Sequence, residues 1–288
     1  MVINMFDEED DDGLEEPKKI KEQSQNIMSE EQIEKWLFAT KEYDDFFCCM
    51  LYGQDGTGKS GIVQSFPLGK DDSMIILDLD GGNAPLLQYH KEKNIIVKNP
   101  LTTAFTENGV VIDYVATMNK IKATVAYLRE NYKKKKIVAF CLDGLSTLLK
   151  HAEYQMRIEH NITTDGGVMQ RYWIRRSKLF TEILEQIKAL PIHKFFIAHE
   201  DFIPKDNTDL ASVKQKTNQL VYQKLRCIRT DNVDTVIFKV IVDKNKFAVT
   251  TEGKEIEFCK VDKNTEKVKW EADKIFELLK KHTKGEKK

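Results

Sequence analysis

Gly53-Gln54-Asp55-Gly56-Thr57-Gly58-Lys59-Ser60 decides the reading of this chain. The eight residues have the G-x-x-x-x-G-K-S spacing of a phosphate-binding loop. Glycines at 53, 56 and 58 let the backbone wrap an anion closely, with amide N–H groups turned inward. Lys59 can carry its charge to β- and γ-phosphates, and the Ser60 hydroxyl can ligate Mg²⁺. The flanks agree with this. Phe46 to Tyr52 is an apolar run of strand length, and Ser60 to Phe66 opens a short helix that Pro67 stops. The positive N-terminal end of that helix faces the phosphates.

Outward from the loop, strand-like and helix-like segments alternate. Ser73 to Asp80 reads as a buried strand ending in acids before Gly81-Gly82, and Asn94 to Val97 as a short third strand. Val115 to Tyr132 carries apolar residues at helical spacing. Lys136 to Asp143 is another buried strand ending in an acid, Gly167 to Leu190 a long helix, and His193 to His199 a further strand. This alternation predicts an α/β fold, a mostly parallel central sheet with helices on both faces. After Asp234 the pattern changes. Thr235 to Val242 and Glu255 to Val261 predict an antiparallel C-terminal edge, and Ala272 to Lys281 a last helix.

The 288 residues suffice for one large or two small domains, and 41% hydrophobic with 32% charged content describes a globular chain. No apolar stretch of transmembrane length occurs, so no membrane span is expected. The first residues run into acid rather than a basic n-region, so no secretory signal is expected and the expected location is the cytoplasm, that of the host if the protein is viral. The five cysteines show neither zinc spacing nor a disulfide framework, and buried free thiols are the expectation.

A net charge of −1 conceals an asymmetry: eight acids lie within Asp7 to Glu16, and no Lys or Arg precedes Lys18. The rest of the chain is net basic, which suits a polyanion-binding body with an acidic tail that could recruit a protein partner. Residues 1–28 are expected to be a disordered tail. Ser29 and Gln32 have capping-box spacing, with Ile33, Trp36 and Leu37 following at helical intervals. The expected domains are the tail at 1–28, an ATPase domain at 29–270, and a helix with a basic tail at 271–288.

Hydrolysis needs more than a phosphate loop: a metal ligand and a group that orients water. Asp143 ends an apolar strand, where α/β sheets place ligand-binding residues, and is the candidate Walker-B carboxylate. Asp78 and Asp80 end the strand after the loop. Strand alternation points them the same way, so either could polarise water near a γ-phosphate or cap the following turn. His199-Glu200 ends the next strand, where a polar group could report on the γ-phosphate.

In this order the pieces resemble the RecA-type recombinase core. Within it they are most similar to the compact phage ATPases of the Sak type, which act in single-strand annealing and recombination. The resemblance spans roughly residues 46–250. It rests on the loop itself, Ile-Leu-Asp-Leu-Asp-Gly-Gly at 76–82, Leu-Asp-Gly-Leu-Ser-Thr-Leu at 142–148, Ile-Ala-His-Glu at 197–200 and Lys-Asn-Lys at 244–246. It implies a RecA-like P-loop NTPase binding ATP and Mg²⁺. Gly53 to Ser60 and Asp55 would lie on the nucleotide. Lys59, Asp80, Asp143 and His199 would be the catalytic group, Asp80 standing where the family has a catalytic glutamate. Ser60 and Asp143 would hold the metal. Lys244 and Lys246 resemble lysines that reach the ATP of a neighbouring subunit, which implies a ring or filament. Gly144 departs from the pattern, since serine is usual there.

The resemblance also implies single-stranded DNA as partner, gripped by loops near 151–171 and 201–220. Their basic residues include His151, Arg157, His160, Arg171, Lys205, Lys214 and Lys216, followed by Lys224, Arg226 and Arg229, with Tyr154 or Phe202 to stack on bases. Two other readings stay open. One is a nucleotide kinase, since Asp-Gly-Thr-Gly-Lys-Ser also resembles the loop of thymidylate-type kinases. The other is an ATP-gated loader or scaffold without catalysis.

Overall fold

The apolar run ahead of the glycine loop becomes the buried strand β1 (Cys48–Gly53). The computed structural model describes residues 29–31, 33, 34, 46–107, 109–163, 166–200, 220–247 and 249–280. The chain divides into two units, Met1–Asp44 and Asp45–Lys288. In the first, residues 30, 31, 33 and 34 are helical, and the Ile33 N–H donates to the Ser29 carbonyl at 2.9 Å. The acidic tail, Gln32, Trp36 and Leu37 lie outside the described residues.

In the second unit β1 is followed by β2 (Ser73–Asp78), β3 (Asn94–Lys98), β4 (Thr103–Thr106), β5 (Gly109–Ile112), β6 (Ile137–Asp143), β7 (His193–His199), β8 (Gln223–Asp231), β9 (Thr235–Asn245), β10 (Glu255–Asp262) and β11 (Val268–Trp270). Nine of them form one sheet in the order β11-β10-β9-β8-β1-β7-β6-β2-β3, and β4 pairs with β5 apart from it. From β8 to β3 all neighbours are parallel. β9, β10 and β11 add on antiparallel. The fold is therefore the RecA-like P-loop architecture, a mostly parallel sheet with an antiparallel edge.

Strand alternation sorts the core into two layers. Cys48, Met50 and Tyr52 face one cluster, covered by helices α2 (Tyr114–Asn131), α3 (Leu145–Glu159) and α4 (Gln170–Lys188). Phe47, Cys49 and Leu51 face the other, covered by α1 (Lys59–Gln64) and α5 (Asp273–Lys280). The five cysteines are free and buried, on β1, β6, β8 and β10. No helix among the described residues is long and apolar enough to cross a membrane.

Parallel strands align their carboxyl ends, and here the ends of β1, β2, β6 and β7 gather Gly53, Asp78, Asp143 and His199 along one edge. We call this the upper edge. Several elements escape the periodicity reading, among them β4, β5, β8, β11 and α3. β8, which carries the Lys224, Arg226 and Arg229 expected just beyond a DNA-contacting loop, is a strand that β1 and β9 hydrogen-bond on both sides. The stretch 151–159, expected in a DNA-contacting loop, is instead the second half of α3.

Candidate nucleotide site

The glycine loop closes over its own lysine. Gly56 (φ 68°) and Gly58 (φ 83°) take left-handed conformations that favour glycine, and Gly58 caps α1. A Cβ on Gly53 would lie 2.2 Å from the Cys227 carbonyl of β8, so only glycine lets the loop leave β1 at that angle. The Lys59 ammonium donates to the Gly53 and Gln54 carbonyls at 2.9 and 2.7 Å. Burial lowers its pKa, with nearby acids opposing the shift. Phe258 packs on Gly58. Trp270 packs on Gly61, and its indole N–H donates to the Ser65 hydroxyl at 2.6 Å. The antiparallel edge thus braces the helix that follows the loop.

Ser60 and Asp143 meet directly. The Ser60 hydroxyl donates to Asp143 Oδ2 at 2.8 Å, and Asn83 Nδ2 donates to the same oxygen at 2.6 Å. Burial pushes the Asp143 carboxyl up, while these two bonds pull it back. A hydroxyl and a carboxylate side by side are the hard oxygen donors that suit Mg²⁺.

The two acids after β2 part company. Asp78 accepts the Gly81 and Asn83 amides, each at 2.8 Å, and so holds the turn. Asp80 accepts from the Thr147 hydroxyl at 2.5 Å and faces His199 Nε2 at 2.9 Å. Alternation predicts a shared direction, but the strand ends at Asp78 and the chain bends before Asp80.

His199 Nδ1 stands 2.5 Å from Asp55 of the glycine loop. Each ring nitrogen faces a carboxylate, an arrangement both nitrogens can satisfy as donors only in the imidazolium form. The bond to Asp80 raises the His199 pKa against the effect of burial. Burial alone would raise Asp80, but the bonds from His199 and Thr147 outweigh it and hold its pKa below the usual carboxylate range. Asp80, Asp143 and His199 offer ligand atoms all within 4.8 Å of one another.

A family model described as an AAA domain matches residues 46–268, most of the chain. The chain belongs to the AAA domain family. No curated protein matches it. The domain is of the nucleotide-binding P-loop ATPase type, and the matched span holds the loop, Asp80, Asp143 and His199.

Other expected residues of this AAA domain lie elsewhere. Lys244 faces Lys224 across β8–β9, and Lys224 faces Met50, three residues before Gly53. The Lys246 N–H donates to the Tyr222 carbonyl at 2.9 Å. Both lysines therefore sit at the lower edge, opposite the chain's own glycine loop. Among the expected DNA contacts, Arg157 is held by Glu153 and by the Thr163 and Gly166 carbonyls. His160 stacks on Tyr172, and Arg171 lies over the same ring. Tyr154 stacks on Tyr114, and His151 is buried. Arg226 pairs with Glu200, and Arg229 with Asp231. Lys205, Lys214, Lys216 and Phe202 lie outside the described residues.

Asn83 and Thr147 escape the sequence reading. Asn83 follows two glycines, and its one sequence signal is proximity to Asp80. Thr147 lies within the Asp-Gly-Leu-Ser-Thr stretch quoted for resemblance, one helical turn past Asp143.

Proposed function

We propose that the protein is a Mg²⁺-dependent ATP hydrolase of the RecA-like class that acts on single-stranded DNA in recombination, annealing or replication. We further propose that it belongs with the phage Sak-type ATPases and works as a self-assembled ring or filament. The observation that carries the hydrolase reading is Asp80. It is held ionised between Thr147 and His199, within 4.8 Å of Asp143.

The residues divide the work. Glycine-loop amides and Lys59 would bind the triphosphate, and Ser60 with Asp143 would hold Mg²⁺, which supplies charge neutralisation at the transferred phosphoryl group. Asp80, shorter by a methylene than glutamate, would orient the attacking water. Thr147 fixes its rotamer, and Gly144 leaves room for it. His199 ties Asp80 to Asp55, so the state of the phosphate loop would be passed to β7 and the segment beyond it. Lys244 and Lys246, at the lower edge, would act on the nucleotide of the adjoining copy. The DNA reading is supported by the resemblance. It is supported also by the exposed Ile158, Met169 and Ile174 around the α3–α4 turn, near His160 and Arg171, an apolar and cationic mixture suited to bases and phosphates.

ATP turnover with and without single-stranded DNA, for the wild type and Asp80→Asn, tests this. The expected result is DNA-stimulated hydrolysis, cut about 10²-fold or more by Asp80→Asn with ATP binding kept. Phosphate transfer to a nucleoside monophosphate would instead mark a kinase. Tight ATP binding without turnover would mark a loader.

A further inference from the structure

The β4–β5 hairpin stands apart from the main sheet, a two-stranded element that shares no ladder with it. Such a hairpin is marginally stable alone in water. Every β5 residue is exposed, and Phe105 is 88% exposed, Val110 60% and Val111 43%. Phe105 pairs with Val110 across the ladder, so the two apolar side chains share one face. Glu107 lies exposed in the turn. The hairpin follows β3, whose carboxyl end is at the upper edge, and precedes α2, which returns to the lower edge where β6 begins. It therefore stands on the nucleotide edge, at the β3 end of the sheet.

The lower edge has the opposite character. Exposed Lys133, Lys134, Lys135 and Lys136 run directly into β6; Lys136 pairs with Asp71 at 2.9 Å, and the half-buried ring of Tyr132 before them carries the Lys133 ammonium 5.8 Å from its centroid. Lys246 is exposed on the same edge. An apolar, acid-tipped projection on one edge and an aromatic strip on the other, whose net charge comes from Lys133, Lys134 and Lys135, are complementary in kind and charge.

We infer that the hairpin docks onto the Tyr132–Lys136 strip of a second copy, head to tail, with Phe105 against Tyr132 and Glu107 among the lysines. This rests on the proposed assembly, in which Lys244 and Lys246 of one copy serve the nucleotide of the next. That assembly sets β9 of one sheet above β1 of its neighbour, an offset of two strands in the order β9-β8-β1. With the sheets in line, the same offset sets β6 above β3, in the order β6-β2-β3. At about 4.8 Å per strand the two offsets are equal in distance. The lysine strip of one copy then lies over the hairpin of the other. Both ends of the interface are met by one translation, and because the two patches differ, the contact repeats from copy to copy.

The test measures the mass distribution of full-length protein with Mg²⁺ and a non-hydrolysable ATP analogue, with ATP affinity measured in parallel. Phe105→Asp, and separately Lys133→Glu with Lys134→Glu, should weaken assembly roughly 10- to 100-fold. ATP affinity of the isolated copy should stay at the wild-type value, since neither patch touches the glycine loop. A Thr106→Cys, Lys134→Cys double variant should cross-link into ladders under mild oxidation, and each single variant should not. Wild-type assembly by both charge and Phe105 variants, or no ladder from an assembled double variant, would overturn the docking and leave the ATPase reading intact. A wild type that binds ATP yet stays monomeric would overturn docking and assembly together. Loss of ATP binding in the wild type would instead sink the nucleotide reading.

Discussion

Gly144→Ala adds one carbon atom where the molecule has no space for it. Gly144 has φ 103° and ψ 48°, well outside the conformations an L-residue adopts cheaply. The new Cβ would lie 2.8 Å from Leu79 Cβ and 2.9 Å from Asp80 Oδ2. Backbone strain of this kind costs about 1–3 kcal/mol, and overpacking about as much again. The sum, roughly 2–6 kcal/mol, corresponds at a slope of about 3 kcal/mol per molar to a fall of about 1–2 M in the urea midpoint. The chain can relieve part of the clash by moving Asp80 away from Thr147 and His199, so turnover should fall along with stability while Lys59 still grips the nucleotide. Serine, the residue usual here in RecA-type proteins, carries the same Cβ and should do no better. Gly82→Ala is the control: nothing lies within 4 Å of its Cβ and its φ is not positive, so its unfolding free energy should stay within about 0.5 kcal/mol of wild type. Equal midpoints and equal turnover for Gly144→Ala and Gly82→Ala would refute the argument that Asp80 occupies the place of a side chain at 144.

Three more outcomes follow from the geometry. Asn83→Ala removes the donor to Asp143 and the acceptor for Gln64 inside a buried cluster, so it should cost about 1–3 kcal/mol in denaturant unfolding and weaken Mg²⁺-dependent ATP affinity. His199 has a raised pKa, so its contribution to stability is complete below the unfolded value of about 6.5 and fades as pH climbs through the folded value. Asp80 has a lowered pKa, so its contribution is complete above about 3.9 and fades as pH falls through the folded value. The pair therefore stabilises most between roughly pH 4 and 6.5. His199→Gln should lose more midpoint at pH 5.5 than at pH 8.5, and an equal loss at both would contradict the ion pair. Trp270→Ala uncovers Gly61 and removes the indole N–H that donates to the Ser65 hydroxyl, which keeps its own bond to the Gly61 carbonyl. Because the ring is partly exposed it should cost about 1–3 kcal/mol, and it should lower ATP affinity through the loosened α1.

The glycine loop and the acid-tipped strands were legible because backbone chemistry constrains them: left-handed turns demand glycine, and buried strands demand unbroken apolar runs. Asp143, which lies beside Ser60, was legible from strand polarity together with the glycine loop upstream and the resemblance. The divergence of Asp78 and Asp80 was not legible, since alternation holds only while a strand lasts. β8 was hidden because Gln223, Lys224 and Arg226 look like loop residues. They are ordered by hydrogen bonds from strands on either side, and one of those, β9, arrives from later in the sequence. α3 was not read as a helix, and the resemblance placed its second half in a loop; its charges, among them Glu153, Arg157 and Glu159, pair with one another or with α4 rather than with solvent alone. Thr147 and Asn83 are short polar residues whose partners lie far away in sequence, so local pattern carries no trace of their use.

The placement of the thiols makes the sheet its own reporter. Burial pushes Cys227 up to about 12 and Cys259 up to about 11, and raises Cys48, Cys49 and Cys141 as well. Few thiolates exist to react while the strands stay zipped. A maleimide added to the intact molecule must wait for β1, β6, β8 or β10 to part from its neighbours, and the order in which the five sites are alkylated ranks those partings in time. Nucleotide that clamps the loop at the end of β1 should slow Cys48 and Cys49 before it slows Cys259, turning ordinary alkylation into a strand-by-strand clock of ligand grip.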